Sequence, residues 1–110
     1  VAAVRASELE CQAAIVEAAQ LSGWRVHAER ASRRQSGSWA TAIQGDAGFP
    51  DLLLCRPPRV MFVELKRRPY RVSPDQHDWL AVLGACPAVE ARVVWVPEGM
   101  DAFIAELVRR

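Results

Sequence analysis

Asp51, Glu64 and Lys66 are the residues of this 110-residue chain whose types and spacing could do chemistry. In Val60–Lys66 successive side chains alternate, so Val60, Phe62, Glu64 and Lys66 share one face and Met61, Val63 and Leu65 the other. Both faces are apolar, which predicts a central strand buried on both sides. A carboxylate and an ammonium at the end of such a strand are expensive to desolvate without a purpose. The simpler alternative is a strand that stops at Val63 and leaves Glu64 and Lys66 in solvent. Asp51 opens the preceding apolar run, Asp51–Cys55, just after Gly48-Phe49-Pro50. Arg56–Arg59, with Pro57-Pro58, reads as a tight turn, and an antiparallel hairpin centred on it sets Asp51 beside Glu64. Two carboxylates converging on one point repel unless a cation lies between them. Hard divalent ions such as Mg²⁺ or Mn²⁺ favour that oxygen-only set. A turn or cap role after Pro50 is the alternative for Asp51. Lys66 is the only lysine among 14 basic residues, the rest being arginine.

The elements that must position these residues can be read around them. Ser7-Glu8-Leu9-Glu10 has the form of a capping box, opening a helix that runs to about Leu21 and stops near Gly23. Its expected inward stripe is Leu9, Ala13 and Val16, with Gln12, Ile15 and Ala19 beside them. Trp24–Glu29 alternates as a strand. Residues 31–49 are rich in Ser, Gly and Ala without a period, long for a structureless connection, which predicts a functional or mobile loop. Ser73-Pro74-Asp75-Gln76 starts a second helix with an N-cap Ser, a Pro at the first position and a box Gln, continuing through Trp79, Leu80 and Leu83. Arg92–Val96 reads as a buried strand, and Asp101–Val108 as an amphipathic helix with Arg109 and Arg110 at its negative end. The order is αβββαβα, a single mixed α/β domain over residues 1–110.

Composition narrows the function classes. Hydrophobic residues make up 51% and charged residues 25%, an ordinary globular balance. No apolar run approaches the roughly 20 residues of a bilayer span, so no membrane partner is expected. Val1–Arg5 is too short and mixed for a secretory signal, and the absence of an initial Met leaves room for residues upstream. Cys11, Cys55 and Cys86 lack the spacing of a disulfide framework or zinc site, and read as buried free thiols in a reducing cytoplasm. His27 and His77 are too few for a zinc-hydrolase cluster. The net charge is only +1, but its distribution is uneven. Arg56, Arg59, Lys66, Arg67, Arg68 and Arg71 surround a single acid, Glu64, and Arg25, His27, Arg30, Arg33 and Arg34 form a second group. A solvated surface explains any one arginine. Beside a carboxylate pair, Arg67, Arg68 and Arg71 together with Arg30, Arg33 and Arg34 read as a track for phosphates. Trp39 either stacks on a base or anchors its loop.

Together Gly48, Pro50 and Asp51, then Glu64 and Lys66, resemble the core of PD-(D/E)xK nucleases. With Glu8 and Gln12 four residues apart before them, and Ser73, Pro74 and Gln76 after, the chain is similar to the VRR-NUC branch from residue 8 to about 96. The segment Arg33–Ala47 is longer than in compact members. The resemblance implies a nuclease-like αβββαβ core with a C-terminal helix, and a Mg²⁺- or Mn²⁺-dependent endonuclease hydrolysing DNA phosphodiesters. It implies Asp51, Glu64, the Leu65 carbonyl and Glu8 as metal ligands, and Lys66 as the group that orients the attacking water. For the third acid, Glu10 competes with Glu8 but already has a capping role. Gln12 either holds a water at the metal or bonds nearby backbone; Gln76 is either a box residue or a site residue. Small size favours structure selectivity over sequence reading. Stand-alone members resemble homodimeric Holliday-junction-resolving enzymes, which implies branched DNA and a homodimer; a nicking or flap nuclease is the variant within the class. The readings from other classes are a non-catalytic nucleic-acid-binding module on the same fold and a small protein-interaction domain.

Overall fold

A computed structural model of the chain describes residues 7–29 and 44–110. Its elements follow the expected order: α1 (Glu8–Leu21), β1 (Arg25–Ala28), β2 (Leu52–Arg56), β3 (Arg59–Lys66), α2 (Pro74–Gly84), β4 (Val89–Trp95) and α3 (Met100–Val108). Local chemistry sets the helix ends. The Ser7 hydroxyl accepts from Glu10 N–H at 3.0 Å and caps α1. At the other end Gly23 takes a left-handed φ of +88°. Trp24 N–H then reaches back to the Ala19 carbonyl (3.0 Å) and Gly23 N–H to that of Gln20 (3.2 Å), a Schellman stop. At α2 the box is complete: Gln76 N–H donates to Ser73 Oγ at 3.2 Å and Ser73 N–H to Gln76 Oε1 at 2.9 Å.

The four strands lie in the order β1-β2-β3-β4. The β2–β3 hairpin pairs Leu52 with Val63 and Arg56 with Arg59, so its centre falls between Pro57 and Pro58 as expected. β4 lies parallel to β3, with Glu64 opposite Val93 and Lys66 opposite Trp95, and α2 supplies the crossover that a parallel pair needs. One sheet face carries the core. Leu52, Leu54, Met61, Val63 and Leu65 are fully buried there against Ile15 and Ala19 of α1 and Leu107 of α3. Full burial of each aliphatic side chain contributes roughly 1.5–3 kcal/mol. On the other face α2 buries none of its own residues. It is held through Phe49, whose ring meets Phe62 edge-on at 5.8 Å and Trp79 at 5.1 Å, while Trp79 Nε1–H donates to the Asp46 carbonyl at 3.2 Å.

Two expectations are corrected. The inward face of α1 is Cys11, Gln12, Ile15 and Ala19; Ala13 is exposed, Leu9 is 49% exposed and Val16 only flanks the core. An alanine-rich helix gives weak contrast between faces, and packing under the sheet decides its rotation. Of the thiols only Cys11 is buried; Cys55 is half-buried and Cys86 exposed. Arg56 and Arg59 serve the fold. The Arg56 guanidinium donates to the carbonyls of Ser22 (3.0 Å), Leu107 (3.1 Å) and Arg109 (2.7 Å) and lies 4.5 Å over the Trp24 ring. Arg59 binds Glu90 at 2.8 Å and Glu106 at 3.1 Å, and hydrogen bonds from Arg59 and Arg92 hold those two carboxyls below their usual range.

Candidate active site

The β2–β3 register decides where the carboxylates go. Continued one residue past Leu52–Val63, it sets Asp51 opposite Glu64, at the sheet end remote from the Arg56–Arg59 turn. β3 does not stop at Val63: it runs to Lys66, and Glu64 is only 3% exposed. Asp51 stands just before β2, where its backbone carbonyl accepts from Glu29 N–H at 3.3 Å. Its Oδ2 accepts from Leu65 N–H at 2.8 Å, which fixes the carboxylate against β3. Gly48 lets the segment that leads into Asp51 pass close to α2. Its φ is +96°, and a Cβ there would lie 2.6 Å from the backbone carbon of Asp75, so the chain passes against the start of α2 only as glycine.

Glu64 is held from the opposite side. Gln76 Nε2–H donates to Glu64 Oε2 at 3.1 Å, while the same amide's oxygen caps α2. The capping and site roles of Gln76 therefore coexist, one on each end of its amide. Lys66 Nζ lies 3.7 Å from Glu64 Oε2. Glu64 Oε1 is buried and has no hydrogen-bond partner. Burial, and then the facing Asp51 charge, push the Glu64 carboxyl up to about 8. Burial raises Asp51 as well, against the Leu65 hydrogen bond that lowers it. Without a counter-ion the pair resists double ionisation.

Glu8 opens α1 within electrostatic reach of the pair. Its carboxyl is raised by burial and then by Asp51, and lowered by Lys66 and Arg67. Glu10 is turned to Ser7, whose hydroxyl donates to Glu10 Oε1 at 3.1 Å. Gln12 is buried on the same helix and lines the groove between α1 and β1. Among the described residues, no three His, Cys, Asp or Glu side chains are gathered closely enough to hold a metal ion. The converging carboxylates are thus two, Asp51 and Glu64, with Glu8 outside them. A hard divalent cation fits this pair: it answers both the mutual repulsion and the unpartnered Glu64 Oε1 with an oxygen donor set.

Of the expected phosphate track, Arg67 is half-buried beside Glu8, and Arg68 and Arg71 are exposed just beyond β3. Arg30, Arg33, Arg34 and Trp39, like residues 31–43 of the expected loop, lie outside the described residues. The sequence reading missed the Phe62–Phe49–Trp79 aromatic row that presses the Gly48–Asp51 segment onto α2. An aromatic at 49, next to a glycine and a proline, was its only signal. No helix among the described residues is long and apolar enough to cross a membrane.

A family model described as the VRR-NUC domain matches residues 4–96. Two solved structures are similar in fold. One, titled VRR_NUC domain, is 23% identical with a TM-score of 0.56, covering 89% of this chain and 94% of that one. The other, titled VRR_NUC domain protein, is 18% identical with a TM-score of 0.60, covering 96% and 90%. Comparison with curated proteins found no match.

Proposed function

The chain belongs to the VRR-NUC family, a family of nuclease domains, and from that premise we propose that it is a Mg²⁺- or Mn²⁺-dependent, structure-selective DNA endonuclease. The observation that carries the reading is the facing Asp51–Glu64 pair with its buried, unpartnered Glu64 oxygen. Asp51, Glu64 and the Leu65 carbonyl would hold the ion, with the Glu8 carboxylate within electrostatic reach of it. When bound, a divalent ion there polarises the scissile phosphate and eases ionisation of a nearby water. The side chains do the remaining tasks. Leu65 N–H fixes the Asp51 carboxylate, and Gln76 fixes that of Glu64. The Lys66 ammonium, beside Glu64, balances charge as it builds on the phosphoryl oxygens and orients the attacking water. Arginine would retain the charge and lose the compact donor. Gln12, one turn from Glu8, supports a water at the edge of the site. Arg67, Arg68 and Arg71, with Arg30, Arg33 and Arg34, bind backbone phosphates without reading sequence. Branched DNA, including a four-way junction, is the proposed substrate. A homodimer would bring two sites to two strands, in a reducing intracellular compartment that keeps the thiols free.

Cleavage of a labelled panel of duplex, flap, splayed and four-way DNA in Mg²⁺ and Mn²⁺ tests this. We expect metal-dependent cleavage of a branched substrate, abolished by Glu64→Gln and by Lys66→Ala. No cleavage, with salt-sensitive binding that survives both substitutions, would instead make the chain a binding module on a nuclease fold.

A further inference from the structure

Opposite Lys66, on the neighbouring strand, stands an aromatic side chain that the nuclease chemistry does not use. Trp95 ends β4 and is paired in parallel register with Lys66. Paired residues point to the same side of a sheet, and Val94 is spent in the core beside Leu65. Trp95 therefore faces the same way as Lys66 and Glu64, one strand spacing (about 4.8 Å) from the lysine backbone. The indole is half-buried, and the Arg68 guanidinium lies 4.5 Å over its ring. Arg68 Nε sits 3.7 Å from Glu98 Oε2, and the Arg68 side chain is still 68% exposed. One face of the guanidinium thus rests on tryptophan, one edge is held by a carboxylate, and the outer face is open. Two residues on, Tyr70 is 69% exposed on the same turn, its N–H bonded to the Arg67 carbonyl at 3.0 Å.

Planar cations and aromatic rings are the surfaces on which unstacked bases settle. A base inside a duplex presents only its edges, so such a surface is useful only to a nucleotide already out of the stack. Resting on the nuclease reading above, we propose that Trp95 and Arg68 form a stacking platform for one unpaired nucleobase adjoining the phosphate held at Asp51 and Glu64. The base lies on the outer face of Arg68 and completes a three-layer stack with the indole. Glu98 repels phosphate from the Nε side, so the neighbouring phosphate takes the free end of the guanidinium. The substrate class narrows accordingly: DNA with at least one unpaired nucleotide beside the cleaved bond.

The test compares binding of two splayed DNAs that differ only in whether the nucleotide next to the branch carries its base or is abasic, with Ca²⁺ replacing Mg²⁺ so that affinity is read without cleavage. Scanning the abasic position along the arm, the native protein should prefer the intact base at one position by about 5- to 150-fold. Arg68→Ala and Trp95→Ala should bring that ratio close to one, and Trp95→Phe should retain most of it. Arg68 is exposed and Phe conserves the ring, so two variants keep the test valid if Trp95→Ala does not fold. A native ratio of one at every position, or a ratio unchanged in Arg68→Ala, overturns the platform. Cleavage of branched DNA with a ratio of one would remove the platform and leave the nuclease. A full ratio without cleavage would do the reverse.

Discussion

Replacing Glu64 by Gln should stabilise the metal-free protein at alkaline pH, although it removes a residue of the site. In the unfolded chain Glu64 titrates near its ordinary 4.5; in the fold burial and Asp51 raise it to about 8. Below about pH 4.5 both states carry the proton and nothing is lost. Between 4.5 and 8 the unfolded chain releases its proton while the native state keeps it, so stability falls as pH rises through that window. Above 8 both are ionised and the penalty is complete. A rise of this size corresponds to at most about 5 kcal/mol, and with Asp51 sharing the titration about 2–3 kcal/mol is expected between pH 5 and pH 8. Gln is neutral throughout, accepts the hydrogen bond of Gln76 and can donate to Asp51. Thermal melts of the native and Glu64→Gln proteins in EDTA should agree within about 2 °C at pH 5. At pH 8 the variant should melt about 10 °C higher. Mn²⁺ should raise the native melting temperature and leave the variant where it is. A native protein whose stability is flat across this window, or a variant less stable at pH 8, would refute the reasoning.

Asp51→Asn keeps an acceptor for Leu65 N–H but loses the charge; cleavage should fall by about 100-fold or more while DNA binding persists, read by single-turnover kinetics and a binding titration. Gly48→Ala meets both a left-handed φ and the backbone of Asp75, and should cost about 2 kcal/mol or more in denaturant melts; a loss under 0.5 kcal/mol would contradict it. Arg56→Ala strands three carbonyls and uncovers Trp24. It should destabilise by about 2–3 kcal/mol without altering the salt dependence of DNA binding. Arg67→Ala should do the opposite, lowering the slope of log K against log salt by about one with little change in stability.

What the sequence disclosed depends on how local each cause is. The α2 box lies within four residues, and the hairpin centre follows from two apolar runs about a proline turn, so the meeting of Asp51 and Glu64 could be read without coordinates. The parallel course of β4 could not, because it depends on how α2 crosses the sheet. Arg56 and Arg59 looked like neighbours of Arg67 and Arg68, yet their partners, from Ser22 to Arg109, are 31 to 53 residues away. Pairings at that range leave no spacing signal. Gln76 reads from the sequence as either cap or site because spacing reveals one use per residue, whereas the two ends of its amide serve both. Trp95 read as one more residue of a buried strand; only its register with Lys66 brings it beside the chemistry.

Calorimetric titration of Mn²⁺ in two buffers of different ionisation heat tests most directly whether the Asp51–Glu64 pair is a metal centre. A carboxyl titrating near 8 is about nine-tenths protonated at pH 7, so binding should release about 0.9 proton per ion at that pH. The release should fade towards pH 9, and Glu64→Gln should bind far more weakly and release none. Binding of Mn²⁺ to the native protein without proton release, or with the same affinity and release in Glu64→Gln, would contradict a metal centre at that pair.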